Sequence, residues 1–145
     1  MAILSSEEQE KVVHAISLAE NLTSGEIRVV VENVVGENMN PIAKATKYFE
    51  DLKMHSTVLR NGVLIYLAVA DHQFAIIGDA GIHTKVGDDF WEETKNKMVV
   101  HFRNGDYVNG LVAGIHQAGL ELAHYFPRMN DDINELPNDI HFGNN

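Results

Sequence analysis

The stretch from Arg60 to Gly81 constrains the fold more than any other part of the chain. It reads Arg60-Asn61-Gly62-Val63-Leu64-Ile65-Tyr66-Leu67-Ala68-Val69-Ala70-Asp71-His72-Gln73-Phe74-Ala75-Ile76-Ile77-Gly78-Asp79-Ala80-Gly81. The first apolar run is uninterrupted, as in a strand covered on both faces. A two-residue turn at Asp71-His72 is expected to join it to the second run, giving an antiparallel hairpin of about Gly62–Ala70 and Gln73–Gly78. Folding the hairpin brings its open ends together. Asn61 then enters the first strand close to Asp79, which leaves the second. Polar groups gathered at one end of a buried sheet mark a place to look for a site.

The flanking segments supply the other layers. Ser5 or Ser6 is placed to cap a first helix, with Glu8 or Gln9 completing a capping box. Val12, Val13, Ile16, Ala19 and Leu22 follow at helical spacing. Glu26 to Glu32 is rich in β-branched residues and reads as a strand. Asn40 caps a second helix with Pro41 in its first turn and an apolar stripe of Ile42, Ala45, Phe49 and Leu52. Strand, helix and strand in succession predict a parallel pair with a right-handed crossover. Asp88 or Asp89 is expected to cap a helix bearing Phe90, Trp91, Thr94, Met98 and Phe102. A last long helix starts near Asp106 and ends before Pro127. Its Gly110, Gly114 and Gly119 each cost about 1 kcal/mol relative to alanine, a cost that close packing on the sheet would offset. Residues 1–127 therefore read as one domain and 128–145 as a polar C-terminal tail.

Charge and composition narrow the functional classes. There are 21 acidic and 11 basic residues, for a net charge of -10. No basic patch offers counterion release to a nucleic acid, so that partner class is set aside. An acidic chain suits simple solubility or attraction of cations. There is no cysteine, which excludes disulfides, thiolate metal sites and cysteine nucleophiles. No apolar run approaches the about 20 residues needed to cross a bilayer. Met1-Ala2-Ile3-Leu4 leads straight into Ser5-Ser6-Glu7-Glu8 without a signal-type apolar core, so a cytoplasmic location is expected if the chain is complete.

Several short pieces, in order, carry a family resemblance. They are Ser24-Gly25-Glu26-Ile27, Arg60-Asn61-Gly62-Val63-Leu64-Ile65, Asp71, Gly78, Asp88, and Gly105-Asp106-Tyr107 with Gly110. With Phe90-Trp91, Met98, Phe102 and His124-Tyr125-Phe126-Pro127, the chain resembles the soluble bacterial branch of the TPM-domain family. The resemblance spans about Gly25 to Pro127. It implies a three-layer α/β/α sandwich on a small mixed β-sheet, in agreement with the elements above. It also implies divalent-cation binding and, by likeness to the plant branch, acid-phosphatase-like activity. The chain departs from the common pattern in having His72-Gln73 where an arginine often follows the turn aspartate. His101-Phe102-Arg103 stands where a proline often precedes Gly-Asp-Tyr.

The candidate site follows from strand direction. With the first two strands parallel, Glu26 and Asn61 share an end. The antiparallel third strand delivers Asp79 there, and Asp88 and Asp89 can fold back over it. These four carboxylates and one amide suit calcium or magnesium, hard cations that take oxygen ligands. Simpler roles stand beside this one: a helix cap for Asp88 or Asp89, a turn for Asp79, a lysine pair for Glu26. Asp71 and Glu32 fall at the opposite end. Asp106 is a cap by default, and its place in the family motif makes it a second-rank candidate. His83, in the loop between Asp79 and Asp88, is another. No zincin, P-loop, dinucleotide or nucleophile-elbow motif occurs. Asp131-Asp132-Ile133-Asn134 lacks the glycine and closing glutamate of a calcium loop. Three functions remain: cation binding, metal-assisted phosphoester hydrolysis, and a non-enzymatic module docking on a protein partner.

Overall fold

A computed structural model describes residues 3–87, 89–128 and 140–143. Helix α1 (Ser6–Glu20) leads into strand β1 (Glu26–Glu32), helix α2 (Pro41–Asp51) and a short 3₁₀ turn. Strands β2 (Gly62–Ala68) and β3 (Gln73–Gly78) follow. Then come helix α3 (Ala80–His83), helix α4 (Glu92–Phe102), helix α5 (Tyr107–Tyr125) and strand β4 (Ile140–Phe142). The sheet order is β3-β2-β1-β4. Strand β1 runs parallel to β2 and β4, and β3 runs antiparallel to β2.

Strand alternation divides the core into two layers. Ile27, Val29, Val31, Val63, Ile65 and Leu67 face α1, α4 and α5. Val30, Leu64, Tyr66 and Ala68 face α2, where Ala45, Tyr48 and Phe49 meet them. The result is the expected α/β/α sandwich on a mixed sheet. Helix starts follow the sequence closely. Ser5 and Glu8 form the capping box, with bonds of 2.8 and 3.2 Å. Asn40 Oδ1 accepts from Ala43 N at 2.8 Å, with Pro41 in the first turn.

Four local expectations are corrected. The hairpin connection is four residues, not two, because Ala68 pairs with Gln73. Val69 N and Ala70 N instead bond back to Glu32 O and Asn33 O, at 2.9 and 2.7 Å. Those bonds to the end of β1 hold the strand exit away from β3. Helix α4 begins at Glu92 with Trp91 as its cap, so Asp89 does not cap it. Bonds from Phe90 N to Gly87 O and from Glu92 N to Asp89 O form a turn before the helix. The α5 glycines pack against helices rather than the sheet. A Cβ on Gly110 would strike the Phe102 ring, one on Gly114 would lie 2.5 Å from Met98 Sδ, and one on Gly119 would lie 2.9 Å from Ala19 Cβ. Finally, Ile42 and Leu22 are exposed, and Tyr48 takes the buried place on α2.

The end of β1 carries a closed polar network. Glu32 is wholly buried. It accepts from the Tyr48 hydroxyl at 2.7 Å and from the Tyr66 hydroxyl, and Lys44 Nζ lies 3.3 Å away. Burial, and then the bonded Glu32, push the Tyr66 hydroxyl far above its ordinary pKa. Within the segment read from sequence as tail, Ile140–Phe142 adds an edge strand, and Gly143 lies so close to Glu32 that a Cβ there would collide with its carboxylate.

Candidate functional site

Backbone register builds the opposite end of the sheet. Glu26 pairs with Gly62 across the parallel β1–β2 ladder. Glu26 N donates to Asn61 O at 3.3 Å, and Asp79 N donates to Gly62 O at 2.9 Å. The three predicted residues Glu26, Asn61 and Asp79 therefore gather, each at most 5% exposed. Buried polar groups of this kind are ordinarily satisfied by bonds. Asn61 Nδ2 is not, and neither is Thr57 Oγ1 in the same loop. A half-turn of the Asn61 amide presents either a donor or an oxygen to whatever occupies that position.

Asp79 is already heavily engaged. Its two oxygens accept from Arg60 Nε at 2.8 Å and Arg60 Nη2 at 3.0 Å, a two-pronged pairing. Oδ1 also accepts from Ala80 N at 2.7 Å, which caps α3. Asp79 raises the already high pKa of Arg60 through that bond. Arg60 takes a left-handed backbone conformation, with φ 53°. Gly81 makes the approach possible: its N donates to Arg60 O at 2.8 Å, and a Cβ there would lie 2.5 Å from that oxygen.

A carboxyl pair that sequence reasoning missed completes the end. Glu20, the last residue of α1, is 6% exposed and accepts from Ile27 N at 3.0 Å. Burial, together with the charge and hydrogen bond of Glu26, pushes Glu20 up to about 8. At neutral pH the Glu20–Glu26 pair therefore holds a proton. One signal for it existed. A glutamate in the last turn of a helix opposes the helix dipole, an unfavourable place with no basic residue beside it.

The remaining candidates are distributed differently. Asp88 lies outside the described residues. Asp89 is exposed in the turn before α4. That turn is anchored at this end of the sheet, since Phe90 packs on Tyr125 with ring centroids 5.7 Å apart. His83 is the exposed last residue of α3. Asp106 is not at this end. It caps α5 through Asn109 N at 3.1 Å, near the hairpin turn, and those bonds hold its carboxyl below the usual range. Among the described residues no group of three or more histidine, aspartate or glutamate side chains stands ready to enclose a metal ion. A cleft of about 440 Å³ opens beside the site, between Ser24, Leu59, Gly81 and the end of α5, with Lys85 at its edge.

Fold and site together define a small α/β/α domain with buried carboxyls and an unpartnered amide at one sheet end. The chain belongs to the TPM-domain family, whose model matches residues 1–120. It is similar to the BA42 protein of the psychrophilic bacterium Bizionia argentinensis, at 48% identity and a TM-score of 0.91, covering 98% of this chain and 97% of that one. It shares its fold with the N-terminal domain of cg2496 from Corynebacterium glutamicum, at 14% identity and a TM-score of 0.66, covering 90% of this chain and 80% of that one. The N-terminal domain of a P. gingivalis protein, at 19% identity and a TM-score of 0.66, covers 86% and 80%. No curated protein matches the chain. No helix among the described residues is long and apolar enough to cross a membrane.

Proposed function

We propose that this domain binds a divalent cation, calcium or magnesium, at the acidic end of the sheet through Asp79, Asn61 and Glu26. The observation that carries the reading is the buried, unpartnered Asn61 Nδ2 at the sheet end where the backbone brings Glu26 and Asp79 together. The donors are oxygens, the ligand type hard cations prefer. The counter-charges now at the site, Arg60 on Asp79 and the proton of the Glu20–Glu26 pair, are what a cation would displace. Arg60 is half exposed and free to swing into solvent. Asp88 and Asp89 remain candidates for further oxygens. Calcium titrated into the metal-stripped chain should shift the amides of residues 26, 61 and 79 saturably. Asp79→Asn should abolish those shifts, and Asp106→Asn should leave them. Unchanged amides at millimolar calcium would remove the reading.

A second reading, metal-assisted phosphoester hydrolysis, is favoured by one further feature. The buried Glu20–Glu26 pair keeps a proton at neutral pH, the state a general acid needs, and a cleft large enough for a small substrate opens at the same end of the sheet. Turnover of a chromogenic phosphate ester should then fall by about 10²-fold or more in Glu26→Gln. Turnover that persists undiminished in this variant belongs to a contaminant.

A further inference from the structure

The geometry points to a second site at the hairpin end: a cavity that binds a small organic monocarboxylate with a flat, apolar body. The cavity encloses about 380 Å³, within the range of small-ligand sites. It sits at the end of the sheet opposite Asp79, so it does not depend on the cation reading. Leu67, Phe74, Val99 and Phe102 supply its apolar wall. The Phe74 and Phe102 rings meet edge-on with centroids 5.1 Å apart, and Tyr107 lies 5.9 Å from Phe102. Phe102 is held flat against α5 because Gly110 has no side chain to keep it off. Packed rings of this kind form a slot that a planar body fills better than a branched one.

The polar side chains at the cavity are Arg103, His72 and Tyr107, none of them acidic, in a protein of net charge -10. The Arg103 side chain is exposed and makes no hydrogen bond or ion pair among the described residues. His72 Nδ1 lies 3.0 Å from the Tyr107 hydroxyl, with the two rings stacked. The hydroxyl has one proton to give. Its other contact, Val69 O, is at 3.5 Å; a hydroxyl that gives its proton to the nearer Nδ1 leaves the imidazole hydrogen on Nε2. The carboxylates next in sequence to His72 and Tyr107 are occupied elsewhere. Asp71 accepts from Val35 N at 2.7 Å, and Asp106 from Asn109 N and Nδ2. His72 also holds a left-handed backbone conformation, φ 54°, that costs a histidine energy glycine would not spend. A guanidinium fork beside an Nε2–H donor matches one planar, two-oxygen anion. The strongly negative protein favours a single charge over a dianion.

The test uses the full chain in EDTA and three probes of one shape: indole-3-acetate, its neutral amide, and tryptamine. Indole-3-acetate should shift the amides of residues 72, 74, 99, 102 and 105 saturably, and bind roughly tenfold tighter than the amide, about 1.4 kcal/mol. Tryptamine should not bind. Arg103→Gln, a surface change, should weaken the acid about tenfold and leave the amide unchanged. Val99→Trp, which fills the slot, should abolish binding at unchanged helicity. Three results would overturn the proposal: equal affinity for acid and amide, full affinity in Arg103→Gln, or no saturable shift at about 5 mM acid, the weak end of small-ligand binding.

Discussion

Replacing Glu20 by glutamine in the metal-free protein should flatten part of its stability profile above pH 5. In the folded chain, burial and Glu26 raise Glu20 from 4.5 to about 8. The unfolded chain releases this proton near 4.5, whereas the folded chain keeps it to about 8. Between those values the folded state binds more protons, so stability falls as pH rises, by at most about 1.4 kcal/mol per pH unit for one proton. Full expression of the shift would cost on the order of 5 kcal/mol by pH 8. The proton is shared with Glu26 and Arg128 lies close by, so about half that is expected. Glutamine keeps an oxygen for Ile27 N and an N–H for Glu26, the bonds the protonated acid makes. Urea unfolding from pH 5 to 8 should therefore give nearly equal stabilities at pH 5. At pH 8 the variant should be more stable by about 2–3 kcal/mol. Parallel profiles across this range would show that Glu20 is ionised in the fold, and the carboxyl pair would lose its proton and its acid role.

Gly81→Ala should destabilise by about 3 kcal/mol or more in urea unfolding, because the obstacles are backbone carbonyls of Leu59 and Arg60 that cannot step aside. Gly114→Ala should stay within about 1 kcal/mol of the parent, since the clashing Met98 side chain is flexible and alanine favours the helix. Tyr66→Phe should cost about 1–3 kcal/mol by removing one of the donors to wholly buried Glu32, read by the same unfolding assay.

Much of the architecture was legible because it rests on local rules. The Ser5–Glu8 box, Asn40-Pro41 and the run of β-branched residues in β1 each name their element without tertiary help. Parallel β1–β2 pairing followed from the intervening helix, and with it the meeting of Glu26, Asn61 and Asp79. The hairpin length was not legible, because bonds from Val69 and Ala70 to the end of β1 decide where the β2–β3 ladder stops. The start of α4 was missed for a related reason. The Phe90 ring meets Trp91 and Tyr125 edge-on, and those ring contacts hold a turn where helical spacing continues. Strand β4 has three residues in a polar segment, too short for a period to show. The Glu20–Glu26 and Arg60–Asp79 pairings join separate elements, so spacing does not show them, and the place of Glu20 against the helix dipole is the one signal left in the sequence.

The counter-charges at the acidic end also bear on how strongly a cation could be held there. A site of bare carboxylates would gain by cation binding simply through relief of their repulsion. Here that relief is already supplied from within, by Arg60 at Asp79 and by a proton at Glu20 and Glu26. Arg60 is half exposed, so water takes up its charge when it is displaced and that cost is small. Removing the proton is the larger one below pH 8, at about 1.4 kcal/mol for each unit below the pKa. On the proposed reading, affinity for calcium is therefore modest at neutral pH and is governed more by the carboxyl pair than by Arg60. The pair is placed by the end of α1, so that helix, which touches none of Asn61, Asp79 or Arg60 in sequence, sets the charge that the site presents.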